Sequence, residues 1–169
     1  MTSKSTTQPP RATVSGPARR DRMLREPHHD PYRMDEKPSD PSVCPDCESA
    51  FRDGRWTWAA GPVDAPRILC PACRRIRDGV PAGIVQVRGV YAQDRRDELV
   101  RLMRNVEERE RGEHALERLM SIRDLDGGFE VQTTGIHLAR ALATALHAAH
   151  QGDLQLDHEE EILRATWRR

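Results

Sequence analysis

After Lys37 this 169-residue chain contains no lysine. Of its 27 cationic side chains 25 are arginine, and both lysines, Lys4 and Lys37, fall in the first 40 residues. A folded part without lysine excludes P-loop, Schiff-base and kinase-type lysine chemistry, and no G-x-x-x-x-G-K-[ST] string occurs. Long apolar runs are also missing. The nearest to one, Ala139 to Ala149, is broken by Arg140, Thr144 and His147, well short of the ~20 residues a membrane span needs. The N-terminus lacks the apolar h-region of a signal peptide, so the chain is expected to be cytoplasmic. Net charge is absent as well, 27 cations against 27 acids. That balance excludes a uniformly basic nucleic-acid binder and leaves room for a local basic patch.

Three regions differ in what they contain. Residues 1–43 hold seven of the 12 prolines and no apolar periodicity. Such a segment cannot bury enough surface to offset its ordering entropy and is expected to be a disordered tail. Its arginines (Arg19, Arg20, Arg22, Arg25) make it either an arm for RNA or a partner, or a solvated tail. Residues 44–83 contain all four cysteines and too few aliphatic residues for an ordinary core. Residues 84–169 carry regular patterns and 13 arginines against 16 acids, a net of −3.

Cys44-Pro-Asp-Cys47 and Cys70-Pro-Ala-Cys73 form two C-x2-C pairs with a 22-residue spacer. Two thiolates at i and i+3 in a tight turn face one tetrahedral ion, and a second such turn closes the shell. The expectation is one structural Zn2+ held by Cys44, Cys47, Cys70 and Cys73. The rival reading is a pair of redox-active dithiols, which usually come singly ahead of a helix in a βαβ unit. Asp53-Gly54 predicts a hairpin after the first pair. Pro71 at a helix N1 position and Gly79 at its end predict a short helix after the second. That order makes a treble clef; a longer strand after Cys73 would make a zinc ribbon. Around the cysteines stand Arg52, Arg55, Trp56, Trp58, Arg67, Arg74, Arg75 and Arg77. Arginine forks beside aromatic faces suit an RNA backbone and unstacked bases; the alternative is that the tryptophans cover the metal and the arginines face solvent.

Beyond Ile84 the periodicities predict a strand at 84–90 and a helix from about Asp94 to Arg111 with Leu99, Leu102, Met103 and Val106 inward. A hairpin of strands follows at 119–124 and 128–134. Next comes a helix capped by Thr133 or Thr134 and ending near His150. Strands starting at Leu154 and around Leu163–Trp167, with a turn at Asp157–Glu160, complete the pattern. The order β-α-β-β-α-β plus one strand gives an α+β class with a ferredoxin-like domain over 84–169. The central strands offer only Phe129 for stacking on a base, so reading of RNA by the sheet is not expected. No serine, histidine and acid combination marks a nucleophile, His137, His147 and His150 lie on one helix without a partner acid, and the chain is read as non-enzymatic.

The runs Cys44–Cys47 with Phe51–Trp56, Cys70–Asp78, Arg104–Arg111 and Thr133–Arg140 resemble a group of uncharacterised bacterial proteins over about Ser42 to Trp167. Those proteins look like short relatives of the nonsense-mediated decay protein three family, an adaptor of the large ribosomal subunit that carries more C-x-x-C pairs than the two here. The resemblance implies a zinc module that helps recognise ribosomal RNA or protein, with Cys44, Cys47, Cys70 and Cys73 as ligands. The expected function is therefore a zinc-binding protein associated with ribosomal RNA or the large subunit. No nucleotide cofactor and no membrane are expected. The competing reading is a zinc-stabilised protein–protein adaptor that works through its acidic C-terminal domain without RNA contact.

Overall fold

The computed structural model describes residues 32, 34, 37–159 and 161–169. Most of the expected tail, including Arg19, Arg20, Arg22 and Arg25, lies outside the described residues. Among the described residues regular structure starts two residues before the first cysteine. Strand β1 (Ser42–Val43) pairs antiparallel with β2 (Ala50–Arg52), which turns back into β3 (Arg55–Thr57). Asp53 and Gly54 both take left-handed conformations, φ 50° and 79°, the pair of signs that matches the twist of a two-residue hairpin. Helix α1 (Pro71–Asp78) starts within the second cysteine pair, with Cys70 as its N-cap and Cys73 in its first turn, so the pair leads into a helix and not into a strand. Pro71 sits at its start, and Gly79 (φ 67°) ends it with amide bonds from Gly79 and Val80 to Ile76 and Arg75 carbonyls.

The second part is built on five strands, β4 (Gly83–Arg88), β5 (Leu119–Leu125), β6 (Gly128–Thr133), β7 (Asp153–Glu159) and β8 (Ile162–Arg168), ordered β5-β6-β4-β8-β7. Three helices, α2 (Val90–Asp94), α3 (Arg96–Glu113) and α4 (Ile136–His150), connect them. The strand that follows α4 does not pair with β4. Instead β7 takes the edge and β8 folds back to lie between them, parallel to β4 and antiparallel to β7. The turn expected at Asp157–Glu160 starts later, because β7 continues through Glu159. The helix expected from about Asp94 to Arg111 is α3, and an unexpected short helix, α2, precedes it with a break at Arg95 (φ −111°, ψ 19°).

Alternation decides which face is covered. Val85 and Val87 of β4, Phe129 and Val131 of β6, and Leu163, Ala165 and Trp167 of β8 point to the helices and are buried. Leu99, Met103 and Val106 of α3 and Leu138, Leu142 and Leu146 of α4 meet them. Each such aliphatic or aromatic side chain contributes about 1.5–3 kcal/mol by leaving water. Phe129 is thus a core residue, and no aromatic side chain lies on the opposite face of the described strands. That face is polar. Glu130, itself buried, accepts from Arg123 (2.6 Å), Gln132 (3.1 Å) and Gln86 (3.2 Å), and Arg88 donates to Gln86. Among the described residues no helix is long and apolar enough to cross a membrane.

Candidate metal centre

The sulfurs of Cys44, Cys47, Cys70 and Cys73 all lie within 4.8 Å of one another, and none is in a disulfide. Cys47 and Cys70 Sγ are 3.8 Å apart. Metal–sulfur bonds of about 2.3 Å in a tetrahedron put neighbouring sulfurs about 3.8 Å apart, so the spacing fits one four-coordinate ion. Three local features create it. The Glu48 amide donates to the Cys44 carbonyl and the Cys44 amide to Ser49, closing the first knuckle. Cys70 is the N-cap of α1, its sulfur accepting from the Cys73 amide at 3.4 Å. The Cys70 amide in turn donates to Cys44 Sγ at 3.4 Å, linking the two pairs. A sulfur anion at a helix N-terminus is favoured by the exposed amides and the helix dipole.

Phe51 and Trp56 pack against this cluster, their rings tilted at 60° with centres 5.5 Å apart. Trp56 is buried and serves as cover for the cysteines. Arg77 reaches from α1 to Asp46, inside the first knuckle, through two bonds of 2.8 and 2.5 Å. Arg75 is turned inward: it donates to the Val80 carbonyl and lies 4.3 Å over the Tyr32 ring, whose hydroxyl bonds Asp78. Arg52 and Arg55 are cross-strand neighbours at the end of the hairpin, on the face opposite Phe51 and Trp56. Lys37 Nζ lies beside the same turn, 3.8 Å from where a Cβ on Gly54 would stand. Arg55 and Arg67 are exposed and Arg52 and Arg74 half-buried.

A residue that spacing did not mark completes the centre. Arg118, buried at 6% exposure, donates through Nη1 to Cys73 Sγ (3.3 Å) and through Nη2 to Cys47 (3.1 Å) and Cys70 (3.8 Å). With the amide of Cys70 on Cys44, every one of the four sulfurs accepts at least one hydrogen bond. Arg118 Nε donates to the Ala115 carbonyl, and its guanidinium lies 5.0 Å from the centre of the Trp58 ring. Trp58 also has Arg111 at 4.9 Å and donates its indole N–H to the Arg111 carbonyl at 2.6 Å. Burial opposes the charge on Arg118, but the sulfurs of Cys47, Cys70 and Cys73 outweigh it and raise its pKa.

The thiols separate in the same field. Burial pushes Cys47 up, yet hydrogen bonds from Ser49 and Arg118 and the nearby guanidinium bring it down to about 6. Burial, with the neighbouring sulfurs, pushes Cys70 up to about 11 and Cys73 higher still. A cation supplied to the cluster removes that opposition by favouring all four thiolates at once.

The helix histidines do not converge on a second metal cluster. The only described group of three or more metal-binding side chains is the four cysteines. His137 and His147 are exposed, and His150 Nδ1 is 3.0 Å from the Tyr91 hydroxyl. No protein-family model, no curated protein and no solved structure matches the chain.

Proposed function

We propose that this chain is a cytoplasmic, non-enzymatic zinc protein that docks on ribosomal RNA, with the large ribosomal subunit as the first partner to test. Zinc is the ion we assign because four thiolates in a closed tetrahedral shell suit it and leave no open position for a substrate. We read the metal part as a treble clef, since knuckle, hairpin and knuckle-led helix follow in that order. The C-terminal part reads as a ferredoxin-like sheet with β8 inserted beside its first strand.

One observation carries the docking half of the proposal. Arg52 and Arg55 stand directly opposite each other across a two-residue turn, with Lys37 beside them. Like charges directly opposite on a hairpin are destabilising unless something neutralises them. A phosphate backbone does so, and the metal behind Phe51 and Trp56 holds the hairpin rigid for it. Arg67 and Arg74 extend the set of cations on the same module, whereas Arg75 and Arg77 are engaged within the protein.

The test is co-sedimentation of the full chain with ribosomal subunits at increasing salt. Wild-type association should fall steeply between 50 and 200 mM salt, and Arg52→Ala/Arg55→Ala should lower the slope of log affinity against log salt by about 2. Binding that ignores both salt and the double substitution would favour the protein–protein adaptor instead.

A further inference from the structure

The cation that touches the thiolates comes from outside the metal module. We propose that Arg118 is a member of the metal centre in its own right: a non-coordinating cation that compensates the charge of the four-thiolate complex, so that metal affinity and the docking of residues 84–169 depend on each other. The inference rests on reading the four cysteines as a metal site.

Four thiolates around a divalent ion leave two net negative charges, and a buried charge without a partner is costly. The module's own arginines do not meet that need. Arg75 bonds the Val80 carbonyl and stacks on Tyr32, Arg77 is engaged with Asp46, and Arg52 and Arg55 face away on the hairpin. Among the described residues Arg118 alone of the arginines donates to the sulfurs, and it reaches three of them. Its planar fork suits this task, because one nitrogen serves Cys73 while the other spans Cys47 and Cys70; a lysine ammonium has no such geometry. Bound metal fixes the sulfurs at the separation the fork bridges. Without it nothing fixes the sulfurs at that separation and the fork loses its fixed acceptors.

The segment behind Arg118 transmits this to the other domain. Ala115 and Leu116 pack on the cysteine cluster, and Thr134 Oγ1 accepts from the Arg118 amide (2.9 Å) and donates to the Leu116 carbonyl (2.6 Å). Between them Glu117 accepts from the Leu138 amide in the first turn of α4 (2.9 Å). Four consecutive residues thus join the metal centre to the start of a core helix. Any stabilisation that metal gives to this docking is returned as metal affinity, because coupling is reciprocal.

The experiment uses the full chain with cobalt(II) as the spectroscopic probe, and zinc affinity from competition with a chromophoric chelator. Wild type should bind one cobalt with tetrahedral d–d bands and thiolate-to-metal charge-transfer bands. Arg118→Met should keep the stoichiometry, bind about 10–100-fold more weakly, and show its charge-transfer band at lower energy, because the sulfur lone pairs lose their N–H donors. In wild type, metal removal should also speed amide exchange at Leu138; in the methionine variant that difference should shrink. Arg118→Lys should fall between the two. Wild-type affinity together with a wild-type band in Arg118→Met would overturn the proposal. If circular dichroism shows that variant unfolded, Arg118→Lys decides, and an unchanged band and affinity there overturn it as well. Failure of the unsubstituted chain to give a four-thiolate spectrum would sink the metal reading and this inference together, and is recognisable because it needs no substitution at 118.

Discussion

The carboxylate of Glu117 occupies the place where residue 135 would otherwise carry a Cβ. A Cβ built on Gly135 would stand 2.2 Å from both Glu117 carboxylate oxygens, and one of those oxygens accepts from the Leu138 amide. An acid from a neighbouring segment thereby serves the N-terminus of α4, where unpaired amides and the dipole favour negative charge. Glycine leaves room for the carboxylate and is not called for by the backbone, since Gly135 is extended at φ −137°.

Glu117→Ala should therefore destabilise the fold by about 1 kcal/mol, the usual value of a lost cap. Gly135→Ala should cost up to as much, by displacing the same carboxylate from the Leu138 amide. Urea denaturation of the double variant should show clear non-additivity, since alanine at 117 removes what alanine at 135 strikes. Additive losses would mean the two sites are independent.

Metal analysis of the purified chain should give about one ion per molecule, and Cys70→Ala should abolish it, because that residue is both ligand and helix cap. Chelation should red-shift the emission of Trp56, which is 7% exposed and packed on the cysteines, while Trp167, fully buried in the other core, stays in place. The expected signature is a partial fluorescence change with most helical circular dichroism retained.

Glu130 supplies an acid-sensitive contribution to stability. Burial pushes its carboxyl up, but hydrogen bonds from Arg123, Gln86 and Gln132 and the Arg123 charge hold it below its ordinary value of 4.5. A depressed folded pKa means stability that is fully present above 4.5 and is lost as pH falls through the lower folded value. Glu130→Gln should flatten that part of the stability–pH curve and cost about 1 kcal/mol at pH 7, since exposed Arg123 is screened by solvent. Parallel curves for the two proteins would exclude this assignment.

Features written locally were legible in the sequence. The four cysteines, the Asp53-Gly54 turn, Pro71 and Gly79 around α1, and the buried positions Leu99, Met103 and Val106 are all where spacing puts them. What escaped depends on partners far along the chain. Thr133 and Thr134 look like helix caps, yet Thr133 donates to the Gly83 and Gly135 carbonyls and Thr134 to those of Leu116 and Arg118, so the cap comes from Glu117. Arg118 resembles any other arginine until the chain folds, because no motif links it to cysteines 45 or more residues away. The inserted β8 is likewise invisible to periodicity, which identifies strands without fixing their neighbours.

Chain order gives the Arg118 contact a temporal side. All four sulfurs are translated by Cys73, Arg118 arrives 45 residues later, and the strand that completes the middle of the sheet starts only at Ile162. At about 5–20 residues per second, several seconds separate the synthesis of the last cysteine from that of Arg118. If the cysteines take up an ion in that interval, they do so without the guanidinium that bonds three of the sulfurs in the folded chain. The β4–β8 pairing joins strands separated by about 75 residues of sequence, so it is among the last contacts of the sheet that the growing chain can make.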